Sequence, residues 1–289
     1  MGGPCQLRIY AKSLEHSKRA IGAAITEIER LEQKYSRYRK DSLLTRINRS
    51  AGTGNSIVID VETAGLFDYA DTLCHESGGL FDPTAGILRR VWDFKSGSVP
   101  TEAAVQQVLP LIGWQQLIRE GRSVTLPHAG MELDLGGCVK EYACDSVVSV
   151  LHQAGIAHGL IELAGDIAVV GPQPNGDPWS IGIRHPRNKT AAIAQIPLRR
   201  GGLASSGDYE RCVEIAGERY GHILNPHTGW PVKGLVSVTV LAEQCLVAGS
   251  SATLGMLLPQ EEALEWLSEL GLPWLAVDQQ SRCYGSVDP

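Results

Sequence analysis

The sequence predicts an α+β fold: one domain over residues 1–289, with room for two lobes, in which helices flank antiparallel or mixed sheets. Three observations carry that expectation. Segments of helical period and of strand period both occur along the chain. Strands cluster between residues 159 and 241 with no helix-length segment between them, which disfavours βαβ alternation and a Rossmann sheet. No internal repeat, low-complexity tract or Pro/Ser-rich linker divides the chain.

Residues 5 to 11 alternate, with Cys5, Leu7, Ile9 and Ala11 on one side, and read as a half-buried strand. After Ser13, a candidate cap, the period changes: Ile21, Ala24, Ile25, Ile28, Leu31 and Tyr35 mark a long amphipathic helix. Further one-stripe helices are expected near 62–76, 101–112, 140–154 and 260–270. The last is entered through Pro259, carries Glu261 and Glu262 in its first turn and stops at Gly271. Strand-like runs are Ser56 to Ile59, Met131 to Leu135, Leu160 to Val170, Trp179 to Ile183, Cys212 to Ile215, Leu235 to Leu241 and Trp274 to Val277.

With 43% apolar and 20% charged residues, the 289-residue chain has the balance of a folded core. The 26 Lys and Arg against 32 Asp and Glu leave a net charge of −6. No basic run offers a phosphate-backbone footprint, so a nucleic-acid partner is not expected. No membrane span is expected either: a spanning helix needs roughly 18 uninterrupted apolar residues, and Leu235 to Leu258 is broken by Glu243 and Gln244. The opening Met-Gly-Gly-Pro has no basic and apolar export signal, so the expected location of the chain as given is cytoplasmic; a periplasmic one would need residues before Met1. Seven scattered cysteines are never in a C-x-x-C pair, and most read as small buried apolar residues in a reducing compartment.

Chemistry-bearing residues gather in glycine-polar clusters. Met131-Glu-Leu-Asp-Leu-Gly-Gly-Cys-Val-Lys140 reads as strand, glycine turn and helix start. That layout suits an anion, because glycines admit close approach, the helix end offers N–H groups and Lys140 adds charge. It equally suits a tight turn that needs glycine for its backbone alone. Gly78-Gly-Leu-Phe-Asp-Pro83, Ala164-Gly-Asp166, Ser205-Ser-Gly-Asp-Tyr-Glu-Arg211 and Tyr220-Gly-His-Ile-Leu-Asn-Pro-His-Thr-Gly229 place carboxylates, a histidine and backbone donors on loops.

These segments, with Met1-Gly at the start, Tyr35-Ser-Arg-Tyr-Arg-Lys-Asp-Ser-Leu-Leu-Thr-Arg-Ile-Asn48 and His222 to Pro231, resemble the motifs of the ApbE family of FAD:protein FMN transferases, in that family's order. The resemblance implies an FAD-using α+β enzyme that, with Mg²⁺, moves FMN from FAD onto a Thr or Ser hydroxyl of an acceptor flavoprotein and releases AMP. Met1 and Tyr38 match residues that pack on the flavin rings; Leu80, Phe81 and Asp82 match a cofactor loop; Asp134, Lys140 and Ile223 match further FAD contacts. Apart from the resemblance, Tyr38 reads as a helix-end aromatic over core, and Asp134 as an outward-facing strand carboxylate. His222 matches the position that activates the acceptor hydroxyl, a role that suits imidazole; without the match it reads as structural. His227 reads as a solvent-facing loop residue.

The chain departs from the family pattern at the metal site. The family draws on an Asp and a Thr four residues apart, with a ligand from the glycine turn, here Gly137. Thr253 is retained, but Gly249 stands where the Asp is expected. Mg²⁺ takes carboxylates, phosphates and water, so metal affinity is expected to fall, and Gly249→Asp to restore it. Ser250, Ser251, Asp166 and Asp208 are the substitutes in view. Val139 and Glu141 replace the small residue and the glycine that commonly flank the equivalent lysine, as expected of a subfamily with altered nucleotide or acceptor handling. Two readings stand beside transfer: an FAD-binding protein without transferase activity, and a metal-dependent FAD pyrophosphatase.

Overall fold

The computed structural model describes residues 3–94, 97–188, 190–209, 212–215 and 218–287. Met1, Gly2, Glu210 and Arg211, all in motifs matched above, lie outside them.

In chain order the first elements are β1 (Cys5–Tyr10), α1 (Leu14–Tyr35), α2 (Leu43–Arg49), β2 (Ile57–Val58), α3 (Val61–Glu76), α4 (Glu102–Val108), β3 (Ile118–Glu120), β4 (Ser123–Thr125) and α5 (Val139–Gln153). A strand-rich stretch follows: β5 (His158–Leu163), β6 (Asp166–Gly171), β7 (Trp179–Arg184), β8 (Ala192–Leu198), β9 (Gly201–Gly207), β10 (Cys212–Ile215), β11 (Glu218–Gly221) and β12 (Ser237–Ala242). The chain closes with α6 (Cys245–Leu257), α7 (Gln260–Glu269), β13 (Trp274–Val277) and β14 (Cys283–Gly285). The fold is α+β, and every strand pairing among the described residues is antiparallel.

Two compact units divide the chain: unit 1 holds residues 1–32, 136–207 and 234–289, and unit 2 holds 33–135 and 208–233. Unit 1 is built on a sheet ordered β1-β5-β6-β9-β12-β13-β14. Helices α5 and α6 pack on it, and the β7–β8 hairpin buries Trp179, Ile181, Ile183, Ile196 and Leu198 against its Leu160, Val169 and Leu203. Strand β6 is buried at every residue because both its faces are covered. The α6 helix is buried round nearly its whole circumference, and Asp145 on α5 caps it by accepting the Cys245 and Leu246 N–H groups at 2.8 and 2.9 Å.

Unit 2 contains α2, α3 and α4, a 3-10 helix over Pro83–Arg90, the small sheet β2-β4-β3 and the hairpin β10–β11. Its aromatic core joins Phe67 edge-on to Trp114 at 5.3 Å, and Trp92 edge-on to Trp230 at 5.3 Å. The Trp92 indole N–H donates to Gly229 O at 2.8 Å, so the loop after His222 is tied to this core.

Three expectations from the sequence are corrected. Met131 to Leu135 alternates in burial but pairs with no strand: the Asn48 side chain takes a strand neighbour's place, accepting Leu133 N–H at 2.8 Å and donating to Leu133 O at 2.9 Å. The run Leu160 to Val170 is two strands that reverse at Ala164-Gly165. Finally, Cys5 is exposed, although it stands on the inner side of β1; Leu7 and Ile9 alternate half-buried as the half-buried strand reading expects.

Candidate functional site

The residues matched from the sequence fall into two sets, one on each unit. On unit 1, the β5–β6 hairpin turns through Ala164 and Gly165, both at positive φ (52° and 97°), as a two-residue hairpin turn requires. Glycine adopts that backbone freely, whereas Ala164 is held in a left-handed conformation. Asp166 follows the turn, with its side chain 2% exposed. Its Oδ1 accepts the Ser205 N–H at 3.3 Å, and its Oδ2 accepts from Lys140 Nζ.

Lys140 stands in the first turn of α5, entered from Gly136-Gly137, and its Nζ lies 3.5 Å from Glu141 Oε1. Burial works against the ammonium charge, but Glu141 and Asp166 outweigh it and hold the Lys140 pKa well above the usual lysine value. The Glu141 pKa is raised as well, which for a carboxyl favours the neutral form. Burial pushes its carboxyl up to about 8, with Lys140 pulling down and Asp166 pushing further up. Glu141 Oε2 is buried and accepts no hydrogen bond. The cluster thus pairs two carboxylates with one ammonium.

Gly249 on α6 faces this cluster. A Cβ placed there would lie 2.4 Å from Glu141 Cγ, 3.0 Å from Cδ and 3.1 Å from Oε1. Gly249→Asp therefore cannot simply restore a metal ligand, because Glu141 already fills the volume. Thr253 sits one turn beyond Gly249 on the same helical face, half-buried. The Ser250 hydroxyl donates to Leu246 O at 2.9 Å and Val247 O at 3.2 Å, so its bonding is to the helix backbone; Ser251 is 6% exposed. Asp208 belongs to unit 2, beside Gly221.

On unit 2, Tyr38 is 76% exposed, with the Arg37 guanidinium 5.3 Å from its ring. The core position at the end of α1 belongs instead to Tyr35, 5% exposed and bonded to Thr63 Oγ1 at 3.0 Å. Leu80 is half-buried and Phe81 is buried. Both Asp82 oxygens are engaged within the unit: Oδ1 takes the Thr84 N–H and hydroxyl, and Oδ2 takes the Trp114 N–H at 2.9 Å. Asp134 faces Arg37 Nη1 at 3.0 Å and Arg89 Nη1 at 3.2 Å. Gly86 is required beside it, since a Cβ there would lie 2.4 Å from Asp134 Cβ.

His222 and Ile223 follow β11, both half-buried, and Ile223 O accepts the Val232 N–H at 3.0 Å. The loop beyond is shaped by Asn225, whose Oδ1 accepts the His227 and Thr228 N–H groups at 2.8 and 3.2 Å. His227 is exposed and packs on Gly79. An open groove of about 550 Å³ on this unit is lined by Asp71, His75, Gly79, Asp82, Trp114 and His227; of the residues matched to FAD contacts, Asp82 is the one that lines it. Met1 lies outside the described residues.

Sequence reasoning marks Glu141 only as a subfamily difference and does not show that it lies against Lys140 and Gly249, nor that Arg37 and Arg89 are partners of Asp134. Arg37 did carry a signal, since it stands inside the matched Tyr35 to Asn48 segment.

A family model described as the ApbE family matches residues 1–275. The FAD:protein FMN transferase of Treponema pallidum is 31% identical over 292 residues, covering 93% of this chain and 80% of its own length. Among solved structures, an ApbE protein from Thermotoga maritima is similar with a TM-score of 0.88 at 28% identity, covering 97% of this chain and 93% of that one. The flavin transferase ApbE from Vibrio cholerae is similar with a TM-score of 0.87 at 27% identity, covering 100% and 94%. A match over residues 1–275, with relatives at this identity and coverage, leaves one assignment: the chain belongs to the ApbE family.

Proposed function

We propose that this transferase moves the FMN half of FAD onto a Thr or Ser hydroxyl of an acceptor flavoprotein and releases AMP, with a divalent metal assisting. The observation that carries the reading is the likeness, over most of the chain, to relatives named FAD:protein FMN transferase. In this reaction the acceptor oxygen forms a bond to the phosphorus on the FMN side of the pyrophosphate. The P–O bond to AMP breaks, AMP keeps the bonding electron pair, and the hydroxyl proton passes to the His222 imidazole.

Tyr38 offers an exposed flat ring suited to stacking on the flavin, and Leu80 and Ile223 offer apolar contact. Phe81 bonds back to Ser77, and Asp82 ties the loop to Thr84 and to the Trp114 N–H, so both act by shaping and anchoring it. Asp134, held by two arginines, fixes the segment that leads to Gly136-Gly137.

Mg²⁺ is the ion the family implies. The buried Glu141 Oε2 without a donor, and two carboxylates against one ammonium, fit a hard cation. Among the described residues no three His, Cys, Asp or Glu side chains gather as a metal cluster, so hydroxyl, carbonyl and phosphate oxygens would complete the shell, with Gly137 and Thr253 as protein donors. When bound, such an ion supplies neutralisation of the charge that develops on the pyrophosphate oxygens.

The test is incubation with FAD, Mg²⁺ and a Thr-containing acceptor, following acceptor mass and free AMP together. Transfer gives one FMN on the acceptor per AMP, and His222→Ala lowers its rate by roughly 10²- to 10⁴-fold while FAD binding persists. AMP without acceptor modification would mean hydrolysis, and retained FAD with neither product would mean a binding protein.

A further inference from the structure

The two departures from the family pattern, Glu141 and Gly249, are far apart in sequence but occupy one volume in unit 1. We propose that Glu141 supplies, from α5, the carboxylate of the divalent-cation site that Gly249 on α6 lacks. The inference rests on the transferase reading for what the cation does, but its geometry stands on unit 1 alone.

Four observations carry it. Glu141 Cγ lies where a side chain at residue 249 would begin, and Oε1 is 3.1 Å from that Cβ position. An aspartate at 249 would project its carboxylate from the same point, so the glutamate's longer side chain, arriving from the neighbouring helix, brings a like group to like space. Next, Oε2 is buried with no hydrogen-bond donor, on a side chain only 7% exposed. A buried carboxylate oxygen left without a donor carries a substantial desolvation cost, which a ligated cation removes.

Third, Lys140 is committed chiefly to Asp166: its Nζ contacts Asp166 Oδ2 closely and stays 3.5 Å from Glu141. One ammonium thus serves two carboxylates, the cluster is one positive charge short of balance, and Glu141 is the carboxylate held at the longer distance. Fourth, Thr253 lies one turn along α6 on the Gly249 face, so a hydroxyl donor borders the same volume. The absence of a side chain at 249 is then the condition for Glu141 to enter rather than the loss of a ligand.

The experiment measures Mn²⁺, as a spectroscopic stand-in for Mg²⁺, by the electron paramagnetic resonance signal of the free ion. The full chain, its Glu141→Gln and Glu141→Gly variants and the Glu141→Gly/Gly249→Asp exchange are compared with and without FAD, each checked for folding by circular dichroism. The expected result is Mn²⁺ binding by the unaltered chain, at least tenfold weaker binding by either single variant, and recovery to within about threefold in the exchanged pair. Unchanged affinity in folded Glu141→Gln or Glu141→Gly overturns the proposal. So does a folded exchanged pair that does not recover, or an unaltered chain that binds no Mn²⁺ in either condition, in which case the pair holds a proton. Acceptor flavinylation by the unaltered chain, followed in parallel, separates the two readings. Glu141-dependent Mn²⁺ binding without flavinylation removes the transferase reading alone, and flavinylation with Glu141-independent Mn²⁺ binding removes this one alone.

Discussion

On unit 2, Asp134 and Glu132 are met by Arg37, Arg89 and Arg90; on unit 1, only a few residues further along the chain, Glu141 and Asp166 share Lys140. The first cluster sets three guanidiniums against two carboxylates among the described residues, and it sits at the unit's surface with Arg90 about half exposed. The second sets one ammonium against two carboxylates, both nearly fully buried. Planar guanidiniums carry several donors in a fixed fork and saturate carboxylate oxygens, so the unit 2 cluster is closed on itself and organises backbone. A lysine is a single point charge and leaves Glu141 Oε2 without a donor. Similar residue types thus make a brace in one place and a candidate ligand set in the other, and the difference lies in how many donors each carboxylate can reach.

The comparison breaks first at Gly249. Gly249→Asp in the presence of Glu141 crowds a filled space and adds a third buried carboxylate to the cluster, so it should lower unfolding free energy by about 2–4 kcal/mol in urea titration. Adding Glu141→Gly should return most of that loss; a single variant as stable as the parent would show the space is not shared. Arg37→Ala should cost about 1–2 kcal/mol, because Arg89 still serves Asp134. It should leave Mn²⁺ affinity unchanged, whereas a drop in that affinity would show that the two clusters are energetically coupled.

The smallest effect is on acid stability. Asp60 caps α3 by accepting the Thr63 N–H at 2.9 Å and is bridged by Lys34. Burial opposes its charge, but the bonds from Lys34 and Thr63 win and lower its pKa from 3.8 to about 2. A carboxyl depressed in the folded state adds stability above its unfolded pKa, and that share is lost as pH falls through the window from 3.8 to about 2. The Asp60 side chain is 55% exposed, so solvent screening keeps the share below about 1 kcal/mol. Asp60→Asn should lower stability at neutral pH by that small share and leave it unchanged below about pH 2, which flattens this part of the acid unfolding curve; an unaltered acid limb would mean the pair contributes nothing.

Much of the fold was legible because its determinants are local. Helix α1 shows its stripe and its Ser13 cap, and that hydroxyl does accept the His16 N–H at 3.1 Å. Helix α7 shows its Pro entry and acidic first turn. Helix α6 shows no stripe at all, since it is buried on nearly every side, and a helix with no polar face leaves no helical period to read. The Leu160 to Val170 run hid a hairpin for a related reason: with both faces of β6 covered, nothing alternates, and only Ala164-Gly165 marks the reversal. Met131 to Leu135 alternates like a strand because it is extended with one side buried, but a side chain of α2 serves as its neighbour.

For the site, the sequence by itself determined the ordered motifs, hence the family, the positions of His222, Lys140 and Thr253, and the two departures at Glu141 and Gly249. Motif order and residue type are written along the chain and need no coordinates. Only the tertiary structure decided that the two departures share one volume, that Asp82 is spent on Thr84 and the distant Trp114 N–H, and that Asp134 is braced by Arg37 and by Arg89 of the Pro83–Arg90 helix. These are statements about which atoms share a volume after helices α5 and α6 have packed on one sheet. Close packing makes a missing Cβ on one helix and an added carboxylate on its neighbour a single steric fact, and no local pattern in either segment records the other.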